Sequence, residues 1–82
     1  MPQTTITIYT RENCHLCDAA IETCERAGES VPADVTLDLV DVDEDPELRE
    51  TYGDRVPYVL VDGHPTFNYR VDEAELRQKL TA

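Results

Sequence analysis

The sequence predicts an α/β fold of order β-α-β-α-β-β-α, a four-stranded mixed sheet flanked by three helices. Three observations carry this. Short runs of strand character (TTITIY, VTLDLVDVD, PYVLV) are separated by stretches whose apolar residues recur at helical spacing. Strand-like runs bracket the first helical stretch, and such a unit is a right-handed crossover between parallel strands. Asp62-Gly63 stands between the last two runs, a hairpin signal that makes those strands antiparallel.

Each element has a local reason. Ile6 and Ile8 alternate with Thr5 and Thr7, the period of a strand. From about Cys14 to Ala27 the apolar positions Leu16, Ala20, Ile21, Cys24 and Ala27 mark a helix, and Gly28 supplies its stop. Residues 28–34 read as a loop. Val35, Leu37 and Leu39 alternate in a second strand. Its phase slips at Val40, which predicts either two buried faces or a bulge near its end. Asp45 caps a second helix, Pro46 fits its first turn, Glu47 complements its dipole, and Gly53 ends it. Pro57 to Val61 is the third strand, and His64 to about Tyr69 is its antiparallel return. Asp72 caps a last helix, with Glu75 completing a capping-box pattern and Leu76 and Leu80 forming its apolar stripe.

The chain of 82 residues is expected to form one domain, 1–82, with a modest core. Lys and Arg total 7 against 18 Asp and Glu, a formal charge of −11. That balance argues against nucleic acid and anionic membrane as partners. No apolar run is long enough to span a bilayer. The opening MPQTTITIYTRENC lacks the basic-then-apolar order of a secretory signal, so the expected location is cytoplasmic. There cysteines are kept reduced, and a C-x-x-C beside a β-α-β pattern reads first as a redox motif. The expected state is a monomer.

The motif is Cys14-His15-Leu16-Cys17, at the junction of the first strand and first helix. The first N–H groups of a helix lack partners within it, and its N-terminus carries partial positive charge. Both favour a thiolate. Cysteines of this kind have pKa values lowered from about 8.5 to roughly 3.5–7.5. Cys14 is therefore the expected nucleophile and, in the mixed disulfide, a good leaving group. Cys17 lies one turn on and shares a helix face with it, so Cys17 is the expected resolving cysteine. Asn13 or Thr10 is the expected helix cap. Arg11 is close enough in sequence to add positive charge near Cys14, and His15 is a candidate modulator of the thiolate. Cys24 falls on the apolar stripe and reads as a core residue.

The run Ile8-Tyr9-Thr10-Arg11-Glu12-Asn13-Cys14-His15-Leu16-Cys17 resembles the active-site region of glutaredoxins: a strand, a basic residue, then C-x-x-C. Val56-Pro57, just before the third strand, resembles the Val-Pro of thioredoxin-fold proteins. The chain is most similar to the short bacterial glutaredoxin-like proteins. The resemblance implies a thioredoxin-like, glutaredoxin-type fold and a cis Pro57 facing the cysteine pair. It also implies that Val56 offers its backbone to an extended substrate. Two segments differ from glutaredoxins. His15-Leu16 stands where they have Pro-Tyr. Phe67-Asn68-Tyr69-Arg70-Val71-Asp72 stands where they have Gly-Gly and an acid, with Asp72 matching the acid.

The expected function is that of a thiol–disulfide oxidoreductase acting in electron transport through a Cys14/Cys17 couple. Its substrate would be a disulfide-containing protein or a small thiol. The reductant would be glutathione or a thioredoxin-type donor, with no other cofactor. By class its potential falls between about −270 and −200 mV. Arg11, Arg55, Val56, Pro57 and Arg70 are the candidate substrate-binding residues. Arg55 abuts Val56-Pro57 and Arg70 follows the strand paired with it, so the three arginines are expected to form a positive cluster near Cys14, for a substrate carboxylate or the thiolate itself. Two alternatives stand beside this. One is an iron–sulfur cluster or metal shared through Cys14 and Cys17 in a dimer. The chain itself has no metal site to predict, because one C-x-x-C is half of a four-ligand set and Cys24 lies about 15 Å along the helix. The other is a non-enzymatic binding module.

Overall fold

The computed structural model describes residues 3–32 and 34–81. The elements are β1 (Gln3–Thr10), α1 (His15–Glu29), β2 (Asp34–Asp41), a 3-10 turn (Val42–Glu44), α2 (Pro46–Tyr52), β3 (Tyr58–Val61), β4 (His64–Asn68) and α3 (Glu73–Thr81). This is the predicted order. Ala33 of the predicted loop, and residues 1, 2 and 82 of the predicted domain, lie outside the described residues.

The sheet order is β2-β1-β3-β4. β1 pairs parallel with β2, Ile6 opposite Leu37 and Ile8 opposite Leu39. β1 pairs antiparallel with β3, Ile8 opposite Val59 and Tyr9 opposite Tyr58. β3 and β4 form the predicted hairpin. Asp62 (φ 50°) and Gly63 (φ 81°) make its turn, a conformation that an Asp-Gly pair adopts readily. Asp62 is also tied back to β1: its N–H donates to the Thr5 carbonyl at 2.8 Å, and its Oδ1 accepts from the Thr5 N–H at 3.0 Å. Val59 opposes Phe67 and Leu60 opposes Pro65, so Thr66 is one extra residue, a bulge in β4. Pro65 is tolerated because β4 is an edge strand.

The core lies between one face of the sheet and α1 with α3. Ile6, Ile8, Cys24, Ala27, Val59, Leu76 and Leu80 form it, and Ile21, Val35, Leu37 and Phe67 pack around it. Each fully buried Ile or Leu contributes about 1.5–3 kcal/mol relative to exposure. On the opposite face the Tyr9 and Tyr52 rings stack with centroids 4.6 Å apart, and the Tyr52 and Tyr58 rings meet at a tilt with centroids 4.9 Å apart. Tyr58 is thus a cross-strand partner.

Four local expectations are corrected. The helix stripe begins at Cys17, not Leu16: Cys17, Ala20, Cys24 and Ala27 are buried, and Leu16 is 45% exposed. Gly28 does not stop α1, which runs on to Glu29 and is closed by the Ser30 N–H donating to the Arg26 and Ala27 carbonyls. A Cβ at Gly28 would lie 3.2 Å from Cγ1 of Val35, so the glycine is there for a close approach of β2 to the helix. No bulge interrupts β2, which stays in register with β1 through Asp41. Nor are both of its faces buried at the slip: Leu39, in register with Ile8, is 51% exposed, and Val40, in register with Tyr9, is half-buried. The fourth concerns the cap of α1, which belongs to the site.

At the other helices the predicted N-caps are present, though among the described residues the Glu75 carboxylate makes no return bond to Asp72. Asp45 Oδ1 accepts from the Glu47 N–H at 2.9 Å, Pro46 opens α2, and Gly53 closes it. Asp72 Oδ1 accepts from the Glu75 N–H at 3.0 Å.

Candidate active site

β1 ends at Thr10, and four residues carry the chain to α1. Asn13 sits at φ 56°, a left-handed turn that asparagine tolerates better than most residues. The turn delivers Cys14 to the N-cap position. Neither Asn13 nor Thr10 caps the helix; Cys14 does so itself, its Sγ accepting from the Cys17 N–H at 3.1 Å. Thr10 Oγ1 instead donates to the Arg11 carbonyl at 3.5 Å. Sulfur takes the place of the usual cap oxygen because the chain enters the helix in extended conformation at that residue.

Cys14 and Cys17 are joined in a disulfide, with Cα atoms 5.2 Å apart. The two sulfurs differ in surroundings. Cys17 is fully buried, whereas Cys14 is partly exposed. Cys24 is a free thiol inside the core, and burial, with the nearby Glu25 charge, pushes its pKa from 9.0 up to about 11.

The Val56–Pro57 peptide bond is cis. Tyr9 opposes Tyr58, so Pro57 sits level with the end of β1 that leads to Cys14. Pro57 is buried, and its carbonyl accepts from the Tyr69 N–H at 2.8 Å. Among the described residues, the N–H and C=O of Val56 take no hydrogen-bond partner.

The expected arginine cluster takes a different form. The Arg11 side chain is committed to Asp43 and to the Gly53 carbonyl, the latter at 3.2 Å from Nη1. Its charge is compensated by Asp43, so it is no open cation beside Cys14. Arg55 is exposed, and its N–H donates to the Tyr52 carbonyl. Arg70 is exposed and borders a cleft of about 190 Å³ with Leu16, Ala20, Thr23, Tyr69 and Val71. The structure therefore brings Arg70 to the C-x-x-C segment through Leu16, while Arg11 faces Asp43. His15 is exposed at the first position of α1. Among the described residues, no group of three or more His, Cys, Asp or Glu side chains could hold a metal ion.

One residue near the site was not legible, and of another, Tyr69, only the conformation was not. Asp43 lies in an acidic stretch that reads as a solvated turn, and nothing local links it to Arg11. Tyr69 takes φ 69°, its N–H bound to Pro57 and its OH donating to the Asp54 carbonyl at 3.0 Å. Only the missing glycine pair of the 67–72 segment hinted that this loop differs.

The fold and the cysteine pair together define a thioredoxin-like protein with a redox-type C-x-x-C. A family model, Glutaredoxin-like domain (DUF836), matches residues 5–81, and the chain belongs to that family. It is similar to an uncharacterised protein of Mycobacterium tuberculosis, 31% identical over 84 residues, which spans 94% of this chain and 82% of the relative. Among solved structures it resembles the structural-genomics target XcR50 of X. campestris, with a TM-score of 0.73, 32% identity, and coverage of 93% and 95% of the two chains. It also shares the fold of a thioredoxin from Halobacterium salinarum, with a TM-score of 0.65, 24% identity, and coverage of 94% and 71%. No described helix is long and apolar enough to cross a membrane.

Proposed function

We propose that the protein is a thiol–disulfide oxidoreductase in which Cys14 attacks and Cys17 resolves. The Cys14 thiolate attacks a substrate disulfide, whose S–S bond breaks as a Cys14–substrate disulfide forms. The departing sulfur leaves as a thiolate and takes a proton from solvent. The Cys17 thiolate then attacks Cys14 Sγ, releasing the second substrate thiol and leaving Cys14–Cys17 oxidised. Two electrons pass from the dithiol to the substrate. Glutathione or a thioredoxin-type donor restores the dithiol.

One observation carries this reading. The disulfide joins a partly exposed helix-cap cysteine to a fully buried one. Exposure gives Cys14 access to substrate, and the Cys17 N–H aimed at Sγ, with the helix N-terminus, stabilises its thiolate. The unpartnered backbone of Val56 supports a second element, pairing with an extended segment of substrate. The class of the fold and the family agree with a thiol redox role.

The test is a titration of the couple against glutathione buffers of defined potential, with thiol trapping and mass readout. A two-electron transition within the cytosolic range is expected. If no Cys14–Cys17 disulfide forms at any accessible potential, the reading is wrong.

A further inference from the structure

We propose that the free edge of β2 takes up an extended segment of a partner protein, one in which basic residues alternate with apolar ones, as a further strand of the sheet. Binding there needs neither cysteine and so goes beyond the redox reaction.

The sheet has two edges, and they differ. β4 is guarded against another strand: Pro65 lacks an N–H, and Thr66 is an extra residue that breaks the ladder. β2 carries neither device. It runs for eight residues without proline or glycine and stays in register with β1 throughout. An edge strand presents a row of N–H and C=O groups turned away from its one neighbour. Among the described residues no second strand, turn or loop pairs with that row on β2. It is a ready template for main-chain pairing.

The core is open along this flank. Val35 and Leu37 of β2, Val31 before it and Ile21 of α1 pack against the core but are only partly buried. Leu39 shares the face of Val35 and Leu37, and at 51% it is the most exposed large apolar residue described. A strand laid beside β2 covers this row with its own alternate side chains. The occupant therefore carries an apolar residue at every second position.

Charge selects the rest. Between Arg26 and Arg49 the sequence holds no Lys, Arg or His. Asp34 and Asp38 alternate with the apolar row, and among the described residues neither makes a salt bridge. On α1, Glu25 lies between Ile21 and Gly28 at helical spacing, on the row where Gly28 meets Val35, and it too is exposed and unpaired. Such a strand repels a copy of itself. Antiparallel pairing centred on Asp38 sets two Asp38 side chains opposite each other, and a shift of one residue sets Asp34 opposite Asp41. Basic side chains replace that repulsion with attraction, so the occupant is a basic segment of another protein. Asp41 pairs with Thr10, the last residue of β1 before the cysteine loop, so one end of the docked strand lies at the cysteine end of the sheet.

The test follows amide NMR signals of the full-length, isotope-labelled protein during titration with three peptides. One alternates Lys with Val, the second alternates Glu with Val, and the third is the Lys-Val peptide N-methylated throughout, which keeps its charge but donates no main-chain hydrogen bond. The Lys-Val peptide should shift the amides of residues 34–41 and slow their hydrogen exchange while leaving β4 unchanged. It should bind about tenfold more tightly than either of the others. Asp38→Asn should weaken it about threefold, the scale of one exposed ion pair lost. Glu75→Gln, the same charge change on α3, should barely alter it. Equal losses in the two variants, or equal binding of the N-methylated peptide, would mean attraction to net charge alone and overturn the proposal. So would an absence of binding, or shifts centred on β4 or on α1. Concentration-dependent slowing of exchange in β2 without any peptide would make a second copy the occupant and overturn it as well.

Discussion

Arg11 and Asp43 meet fork to fork: Nε donates to Oδ2 at 3.1 Å, and Nη2 lies 3.0 Å from Oδ1. With the bond to the Gly53 carbonyl, one side chain fastens the end of β1 to the turn after β2 and to the end of α2. The hydrogen bond and charge of Asp43 push the guanidinium pKa further up, so it is charged at every accessible pH. Arg11→Gln and Asp43→Asn should each lower the urea midpoint, Arg11→Gln by more because it also frees Gly53. The double variant should match Arg11→Gln alone. Both ions are partly solvated, so the loss should shrink in high salt. Additive losses in the double variant would mean the pair does not act as a unit.

The proposed roles of the two cysteines separate under single substitution. Cys17→Ser should accumulate a mixed disulfide at Cys14, visible as an added mass that dithiothreitol removes. Cys14→Ser should accumulate none and reduce no substrate. An adduct at Cys17 in the Cys14→Ser protein, with activity kept, would reverse the assignment.

Cys24 sets an alkaline limit. Its folded pKa, about 11, lies above the ordinary 9.0, so the folded state holds the thiol proton more tightly than the unfolded chain does. The resulting stability is complete below pH 9 and is lost as pH rises toward 11. Against Cys24→Ala, the wild type should lose more stability between pH 9 and pH 11 in urea unfolding. Parallel pH profiles would contradict this. In the native protein at pH 8, iodoacetamide should leave Cys24 unmodified.

Gly28→Ala tests the approach of β2 to α1. In an open helix the change would gain about 1 kcal/mol. Here the new methyl would meet Val35 Cγ1 at 3.2 Å, a contact that β2 must yield to relieve. We expect that gain to be cancelled in the wild-type background and recovered when Val35 is Ala. Calorimetric melting of the four proteins of this cycle measures the coupling. No coupling would mean the strand gives way freely.

The parts legible in the sequence are those whose cause is local. Asp45, Pro46 and Gly53 bound α2 because a cap, a first-turn proline and a terminal glycine act within a few residues. Asp62-Gly63 made the hairpin for the same reason, and the spacing of Cys14 and Cys17 placed the pair on one helix. What was hidden depends on distant partners. Gly28 reads as a stop until Val35 is seen against it. Arg11 reads as a free cation until Asp43, 32 residues on, is found beside it. Leu16 reads as core because periodicity reports a face and not whether anything covers its end. The segment that carries Tyr69 reads as lacking glycines, but its left-handed turn is held by hydrogen bonds to residues before β3.

α2 contributes no buried residue of its own. Its ties to the sheet and to the cysteine loop include the Tyr52 ring against Tyr9 and the Gly53 carbonyl on Arg11. Such a segment opens at a free energy well below that of the whole domain. In native-state hydrogen exchange its amides should wash out first, with β1 and β3 last, and Arg11→Gln should speed α2 without touching the central strands. Exchange of α2 at the rate of global unfolding would show that it is fixed more firmly than its burial indicates. If it does open early, the molecule has a hinged flank beside the cysteine loop, free to yield while the sheet and its two large helices stay rigid.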